Sequence, residues 1–413
     1  MTPTHRPAAA AATVSPHPHA LFSTQSRSTI RQCTMATTTT SPPVTRSDVL
    51  LDRPDNNVTE VIFDRMNRNL HQTPNHPLSI IKTIIYDYFN ELHGEGTFRT
   101  FDSLPPIVTT KANFDEVLVP ADHVSRSVND TYYVDAERVL RCHTSAHQAE
   151  LLRLGETNFL VTGDVYRRDS IDATHYPVFH QMEGVRVFTK EQWEAEGYAD
   201  GTELCEKELK ATLEGLAARL FGECEMRWVD AYFPFTEPSF ELEIFFGGQW
   251  LEVLGCGVME KAILDANGRP SDTHRAWAFG LGLERLAMVL FGIPDIRLFW
   301  TTDERFTSQF QDGKITTFKP FSKYPPCLKD VSFWLSDDFT ENNLCEVVRA
   351  EGGDLIEEVA KIDEFTHPKT NRVSNAYRIT YRSMERSLTD EEINGIQEAV
   401  RARMASELKV ELR

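Results

Sequence analysis

Two adjacent glycines, Gly247 and Gly248, constrain the fold more than any other feature of this chain. They separate two strand-like runs, 240–246 (FELEIFF) and 249–254 (QWLEVL). Both loop positions tolerate positive φ, so the dipeptide predicts a two-residue β-hairpin. A hairpin pairs its strands antiparallel. Two further runs, 159–167 (FLVTGDVYR) and 178–185 (VFHQMEGV), read as strands on either side of the loop 168–177. The pattern predicts an α+β domain built on an antiparallel sheet, not a doubly wound parallel one. In keeping with this, neither GxxxxGK[ST] nor GxGxxG occurs.

The rest of the chain divides around that sheet. Residues 77–89 (PLSIIKTIIYDYF) have the spacing of an amphipathic helix with Pro77 at its first turn. A catalytic domain is expected over 48–300, a linker over 301–317 and a compact second domain over 318–413. In the second domain, strand 328–335 is followed by helix 341–350, stopped by Gly352-Gly353. Strands 355–365 and 375–382 come next, then helix 389–404 with a Thr389…Glu392 capping box, then strand 408–412. The order βαββαβ is that of the ferredoxin-like split unit.

Residues 1–47 differ from the remainder of the chain. They carry Arg6, Arg27, Arg31 and Arg46, no Asp or Glu, and runs of Ala at 8–12 and Thr at 37–40. That composition predicts an organellar transit peptide. No stretch of about 18 apolar residues occurs, so no membrane partner is expected. The seven cysteines are scattered and no two have CxxC spacing, which fits a reducing compartment and argues against a zinc site. A formal charge of −19 argues mildly against a nucleic-acid partner unless basic residues cluster locally.

Chemistry concentrates on the two central strands. Side chains of one strand face recur every second residue, so Phe179, Gln181 and Glu183 share a face, and Val165 and Arg167 share one on the neighbouring run. A buried carboxylate beside an amide needs a partner. A ligand ammonium would serve; on spacing alone, an internal Arg167–Glu183 ion pair would serve equally.

The stretches 163–169 (GDVYRRD), 172–177 (DATHYP) and 179–184 (FHQMEG) resemble the second signature of class II aminoacyl-tRNA synthetases in its phenylalanine-specific form, and 280–285 (GLGLER) resembles the third. The residues His76-Pro77-Leu78 resemble the weaker first signature. The resemblance to the single-chain organellar form extends from about Asn57 to the end. It implies a ligase that activates phenylalanine with ATP and Mg2+, passes it to tRNA(Phe), and works in the mitochondrial matrix, the chloroplast stroma or both. It further implies a monomer with no editing subunit, since the whole length is already assigned. The alternative is a synthetase paralogue without activity, kept as an RNA-binding module; retention of Arg167, Glu252 and Arg285 argues against it.

By the same resemblance, Arg167 would hold the α-phosphate of ATP, His175 the triphosphate, Phe179 the adenine, Arg285 the terminal phosphate, and Glu252 would hold Mg2+ and ATP. Gln181 and Glu183 would bind the amino group of phenylalanine. His143 and Ser145, from 140–148 (LRCHTSAHQ), would also contact it, and so would Gln148, although Ser145 with Gln148 also fits a helix capping box. Phe233 and Phe235, from 228–238 (WVDAYFPFTEP), would grip the substrate ring edge-to-face, with Ala278 at the back of the pocket and Phe279 near its rim. The C-terminal segment resembles a ferredoxin-fold anticodon-binding domain, with matches at Lys323-Tyr-Pro-Pro326, at Asp330-Val-Ser-Phe-Trp334 and over 378–386. There Lys369, Arg372, Arg378, Arg382 and Arg386 cluster along one hairpin and its exit, and local positive charge is what phosphate contacts require.

Overall fold

The computed structural model describes residues 42–320 and 324–413. Most of the expected leader, with Arg6, Arg27 and Arg31, and also Lys323 lie outside the described residues. Residues ahead of 48 already pair with the catalytic domain. The Val44 backbone exchanges hydrogen bonds with the Asn67 amide at 2.9 and 2.8 Å, and Arg46 pairs with Glu60.

Among the described residues, nine strands precede the connector: β1 (Arg99–Phe101), β2 (Ile107–Thr109), β3 (Arg138–Leu140), β4 (Asn158–Tyr166), β5 (Val178–Thr189), β6 (Glu225–Phe233), β7 (Thr236–Phe246), β8 (Gln249–Met259) and β9 (His274–Gly282). Seven of them form one sheet in the order β1-β4-β5-β9-β8-β7-β6, antiparallel except for β1 against β4. The β7–β8 turn is Gly247-Gly248, with φ of 61° and 87°, as the dipeptide predicts. The strands run longer than their apolar cores suggest. For example, β5 reaches Thr189 because Val185 to Thr189 pair with β9.

Three helices cover one face of the sheet: α1 (Pro77–His93), α2 (Gly201–Phe221) and α3 (Leu283–Phe291). Helix α1 begins with Pro77 after His76, whose ring Nδ1 accepts from the Leu78 amide. It runs four residues past the expected end, to a Gly94 cap. Its buried Leu78, Ile81, Ile85 and Phe89 pack with Leu209 and Leu213 of α2 and Leu286 of α3 against Met182, Trp277, Phe279 and Leu281 of the sheet. The strand alternation follows directly. Met182 faces the helices, so Gln181 and Glu183 must face the other way.

Between residues 301 and 317, read as a linker, Phe306 and Phe310 are buried and join the catalytic core together with Phe318. Beyond it lie β10 (Cys327–Trp334), α4 (Glu341–Gly352), β11 (Ile356–Thr366), β12 (Val373–Tyr381), α5 (Asp390–Glu407) and β13 (Glu411–Leu412). The sheet order β11-β12-β10-β13 is the 2-3-1-4 arrangement of the ferredoxin-like fold. Helix α4 stops at Gly353, which takes φ of 51°, and the Thr389 side chain caps α5 by accepting from the Glu392 amide.

This domain docks on the loop between β4 and β5. Ile171 of that loop is buried in the hydrophobic core of the C-terminal domain, and its carbonyl accepts from Val359 N–H at 3.0 Å. Arg349 donates to the Asp169 carbonyl at 2.9 Å, Asn342 to the Arg168 carbonyl at 3.2 Å, and the Tyr132 hydroxyl to Glu346 at 2.7 Å.

Candidate active site

The face of the sheet away from α1 and α2 carries a cavity of about 760 Å³, lined by His143, Ser145, Gln148, Arg167, Gln181, Glu183, Phe233, Phe235, Glu252 and Ala278 among others. Strand register brings them together. Val161 pairs with Glu183 and Gly163 with Gln181 across β4–β5, Glu183 with Gly280 and Val185 with Ala278 across β5–β9. A Cβ on Gly280 would meet no atom within 4 Å, so the backbone itself forms that part of the wall.

The two readings of Glu183 separate here. No Arg167–Glu183 pair forms. Arg167 donates through Nε to the Cys142 carbonyl at 2.9 Å and lies over the Phe179 ring at 5.1 Å. No carboxylate pairs with it among the described residues, and its burial pulls the guanidinium pKa down. Glu183 is buried; one oxygen accepts from the Ser145 hydroxyl and the other has no partner. Burial pushes its carboxyl up to about 7, against the opposing pull of Ser145, Gln148 and Thr144. Ser145 therefore turns into the site and does not cap the helix Gln148–Arg153, which has no side-chain cap.

Around Glu183 stand more orphaned acceptors: Gln181 Oε1, Gln148 Oε1 and His143 Nδ1 are buried without partners. His143 Nε2 lies 2.9 Å from the Asn113 carbonyl, which fixes its proton on Nε2 and leaves Nδ1 as an acceptor. Burial and the neighbouring Arg167 lower its pKa to about 4, so the ring is neutral near pH 7. Buried polar groups are normally satisfied. Four bare acceptors on one wall call for a donor-rich cation, and a primary ammonium supplies three N–H groups.

The opposite wall is apolar. Phe233 and Phe235 stack on each other with centroids 5.9 Å apart and planes 11° apart. Phe233 lies against β8 because residue 255 is glycine: a Cβ there would come within 2.7 Å of its ring. Ala278 fills the space between Val185 and Gly257 on its own face of the sheet. Beside the cavity, Glu252 lines the wall and accepts from Arg285 at 3.1 Å. Burial and the charges of Glu252 and Glu243 raise the pKa of Glu241. This is a small set of carboxylates next to a cation, suited to one hydrated Mg2+ shared with phosphates; among the described residues no group of three or more metal-ligating side chains gathers.

Two of the expected residues sit differently from the others. Phe279 is among the residues that line the cavity. Its ring lies on the helix-covered face, stacked on Phe89 at 5.7 Å, because it alternates with Ala278 along β9. His175 does not line the cavity: its Nδ1 lies 2.7 Å from Asp172 three residues back, in a local turn. The basic cluster is also less free than its sequence suggests. Arg378 pairs with Asp330 at 2.8 Å, Arg382 with Glu357 at 2.9 Å, Arg372 with Glu411 and Arg386 with Glu392, both at 2.5 Å. Lys369 is exposed, in the β11–β12 turn. Sequence reasoning missed Asn113, which orients His143, and Asn342 of the C-terminal domain, which lines the cavity. Both contacts are long-range and leave no local signal.

Comparison with known proteins finds two family models and several relatives. The family model "tRNA synthetases class II core domain (F)" matches residues 63–310, and "Ferredoxin-fold anticodon binding domain" matches 322–413. The chloroplastic/mitochondrial phenylalanine–tRNA ligase of Arabidopsis thaliana is 63% identical over 372 residues, covering 90% of this chain and 86% of that protein. The mitochondrial phenylalanine–tRNA ligase of Dictyostelium discoideum is 50% identical over 410 residues, covering 87% of this chain and 90% of that protein. The phenylalanine–tRNA ligase alpha subunit of Thermosynechococcus vestitus is 40% identical over 237 residues, 57% of this chain and 65% of that protein.

Proposed function

This chain belongs to the class II phenylalanine–tRNA ligases of organelles, and from that premise we propose how its residues divide the work. The family joins phenylalanine to tRNA(Phe) at the expense of ATP, for translation in mitochondria or chloroplasts. The observation that carries the residue assignment is the wall of orphaned acceptors facing two stacked phenylalanine rings.

The ammonium of phenylalanine sits against Glu183, Gln181 and Gln148, with Ser145 holding the carboxylate of Glu183 and His143 closing the wall. The benzyl ring enters between Phe233, Phe235 and Ala278. ATP lies with its adenine on Phe179, its α-phosphate at Arg167 and its terminal phosphate at Arg285. Glu252, released from Arg285 when ATP arrives, would hold Mg2+, which supplies charge neutralisation on the phosphates. His175, turned toward Asp172 here, reaches the triphosphate only by leaving that partner.

The chemistry needs positioning and charge neutralisation more than a general base. The phenylalanine carboxylate attacks the α-phosphorus and pyrophosphate leaves. A ribose hydroxyl of the tRNA terminus then attacks the adenylate carbonyl and AMP leaves. Arg167, with no carboxylate paired to it among the described residues, faces the position where negative charge grows in the first step. The chain acts as a monomer without an editing subunit. Residues 48–300 form the catalytic domain and 318–413 bind the anticodon arm, with Lys369, Arg372, Arg378, Arg382 and Arg386 exchanging their carboxylate partners, where they have one, for phosphates.

The test is charging of tRNA(Phe) with labelled phenylalanine. Glu183→Gln should raise the KM for phenylalanine about ten- to a hundredfold and leave the KM for ATP within twofold, since a charge-assisted contact is worth about 1.5–3 kcal/mol. Equal KM values for phenylalanine in the two proteins would remove Glu183 from the amino-acid site.

A further inference from the structure

His180 stands between the proposed adenine shelf, Phe179, and the proposed ammonium ligand, Gln181, but points the other way, into the helix-covered side of the sheet. There it meets Glu284, the residue before Arg285. Glu284 accepts twice from this one residue: from the His180 backbone N–H at 2.7 Å and from the ring Nδ1–H at 2.6 Å. Both side chains are almost wholly buried, at 1% and 3% exposure. The His180 ring is packed between His71, at 5.2 Å, and Trp300, at 5.9 Å, which fixes its rotamer. A buried carboxylate is costly, and two charge-assisted bonds to a single residue 104 positions away are a specific way to satisfy it.

The link joins the two halves of the nucleotide site. Phe179 belongs to strand β5 and Arg167 directly follows β4, whereas Arg285 rises from helix α3, and Arg285 is more than half exposed with Glu252 as its one ion-pair partner among the described residues. Its own contacts therefore do not set its distance from the adenine shelf. Adjacent residues do: Glu284 is tied to the neighbour of Phe179.

We propose that Glu284 and His180 are positioning residues for ATP: their buried bidentate link fixes helix α3, and with it Arg285, at the span required between adenine and terminal phosphate. This rests on the assignment of Phe179 and Arg285 to ATP. Neither Glu284 nor His180 touches substrate.

The experiment is ATP–pyrophosphate exchange with the full chain, varying ATP and phenylalanine separately and counting active sites by the adenylate burst. Glu284→Gln should raise the KM for ATP about ten- to a hundredfold and leave the KM for phenylalanine within twofold, the scale of loss that a misplacement of about 1 Å produces. His180→Val, which keeps the backbone bond and loses the ring donor, should shift the same constant in the same direction. His180→Asn, which restores a side-chain donor, should recover most of that loss. In an Arg285→Lys background, Glu284→Gln should add less than about threefold, because both act through one side chain. A KM for ATP unchanged by Glu284→Gln and His180→Val would overturn the proposal. So would a smaller burst with both KM values unchanged, which is what a merely structural role gives. Should Glu284→Gln not fold, the two His180 variants decide alone. Absence of exchange in the unsubstituted protein would instead refute the ATP assignment on which the inference stands.

Discussion

At the level of single residues, the site turns on one carboxyl. Burial pushes the Glu183 carboxyl up to about 7 in the folded protein, against an ordinary value of 4.5. The folded state thus binds the extra proton between those pH values, and the substrate-free enzyme loses stability as pH rises from about 4.5 through about 7. The loss amounts to about 3 kcal/mol, at 1.36 kcal/mol per unit. A bound ammonium reverses the preference by favouring the carboxylate. Phenylalanine binding near pH 6.5 should therefore release protons, measurable by calorimetry in buffers of different ionisation enthalpy, and Glu183→Gln should abolish the release. Buffer-independent heats would show that Glu183 does not face the ammonium. The apolar wall gives a second prediction. A pocket of Phe233, Phe235 and Ala278 rejects an added hydroxyl only about a hundredfold, so the enzyme should form detectable tyrosyl-tRNA. Ala278→Gly should admit para-substituted phenylalanines, and an unchanged analogue ratio would mean that Ala278 does not face the ring.

The elements explain which parts of this were legible in the sequence. The Gly247-Gly248 hairpin was, because its signal is local: two positions that need positive φ between two apolar runs. The two faces of β5 were legible through alternation, and the same rule applied to β9 would have sent Phe279 to the side opposite Ala278. Where the reading fell short, distant partners decided. Arg378 and Asp330 lie 48 residues apart yet adjoin across β10–β12, and Glu284 meets His180 across 104 residues. His175 turns aside for a local reason, since Asp172 offers its ring a partner within one turn. The contact between β8 and Phe233 yields a prediction. Gly255→Ala places a methyl group within 2.7 Å of that ring. It should displace the ring and raise the KM for phenylalanine about tenfold, with little change for ATP; equal effects on both substrates would point to a general distortion of the sheet.

Across the whole molecule, the C-terminal domain is held to the catalytic domain through the buried trio Tyr132, Glu346 and Arg349 together with Ile171. Glu346 accepts from both the tyrosine and the arginine. Its removal in Glu346→Ala leaves Arg349 as an unpaired buried charge and should cost about 3–5 kcal/mol. Tyr132→Phe should cost only about 1 kcal/mol. Urea unfolding monitored by tryptophan fluorescence distinguishes the two, and similar midpoints for both variants would mean that Arg349 finds another partner. Net charge misleads at this scale: a formal charge of −19 coexists with a site whose own guanidinium, Arg167, has no carboxylate paired with it among the described residues.

The central claim is that the cavity selects phenylalanine and joins it to AMP. Amino-acid-dependent ATP–pyrophosphate exchange, run across all twenty amino acids, tests it most directly. The account predicts strong exchange with phenylalanine, weaker exchange with tyrosine and none with the others. Folded protein that exchanges with no amino acid in the presence of Mg2+ would contradict it and identify the chain as an RNA-binding paralogue of the family.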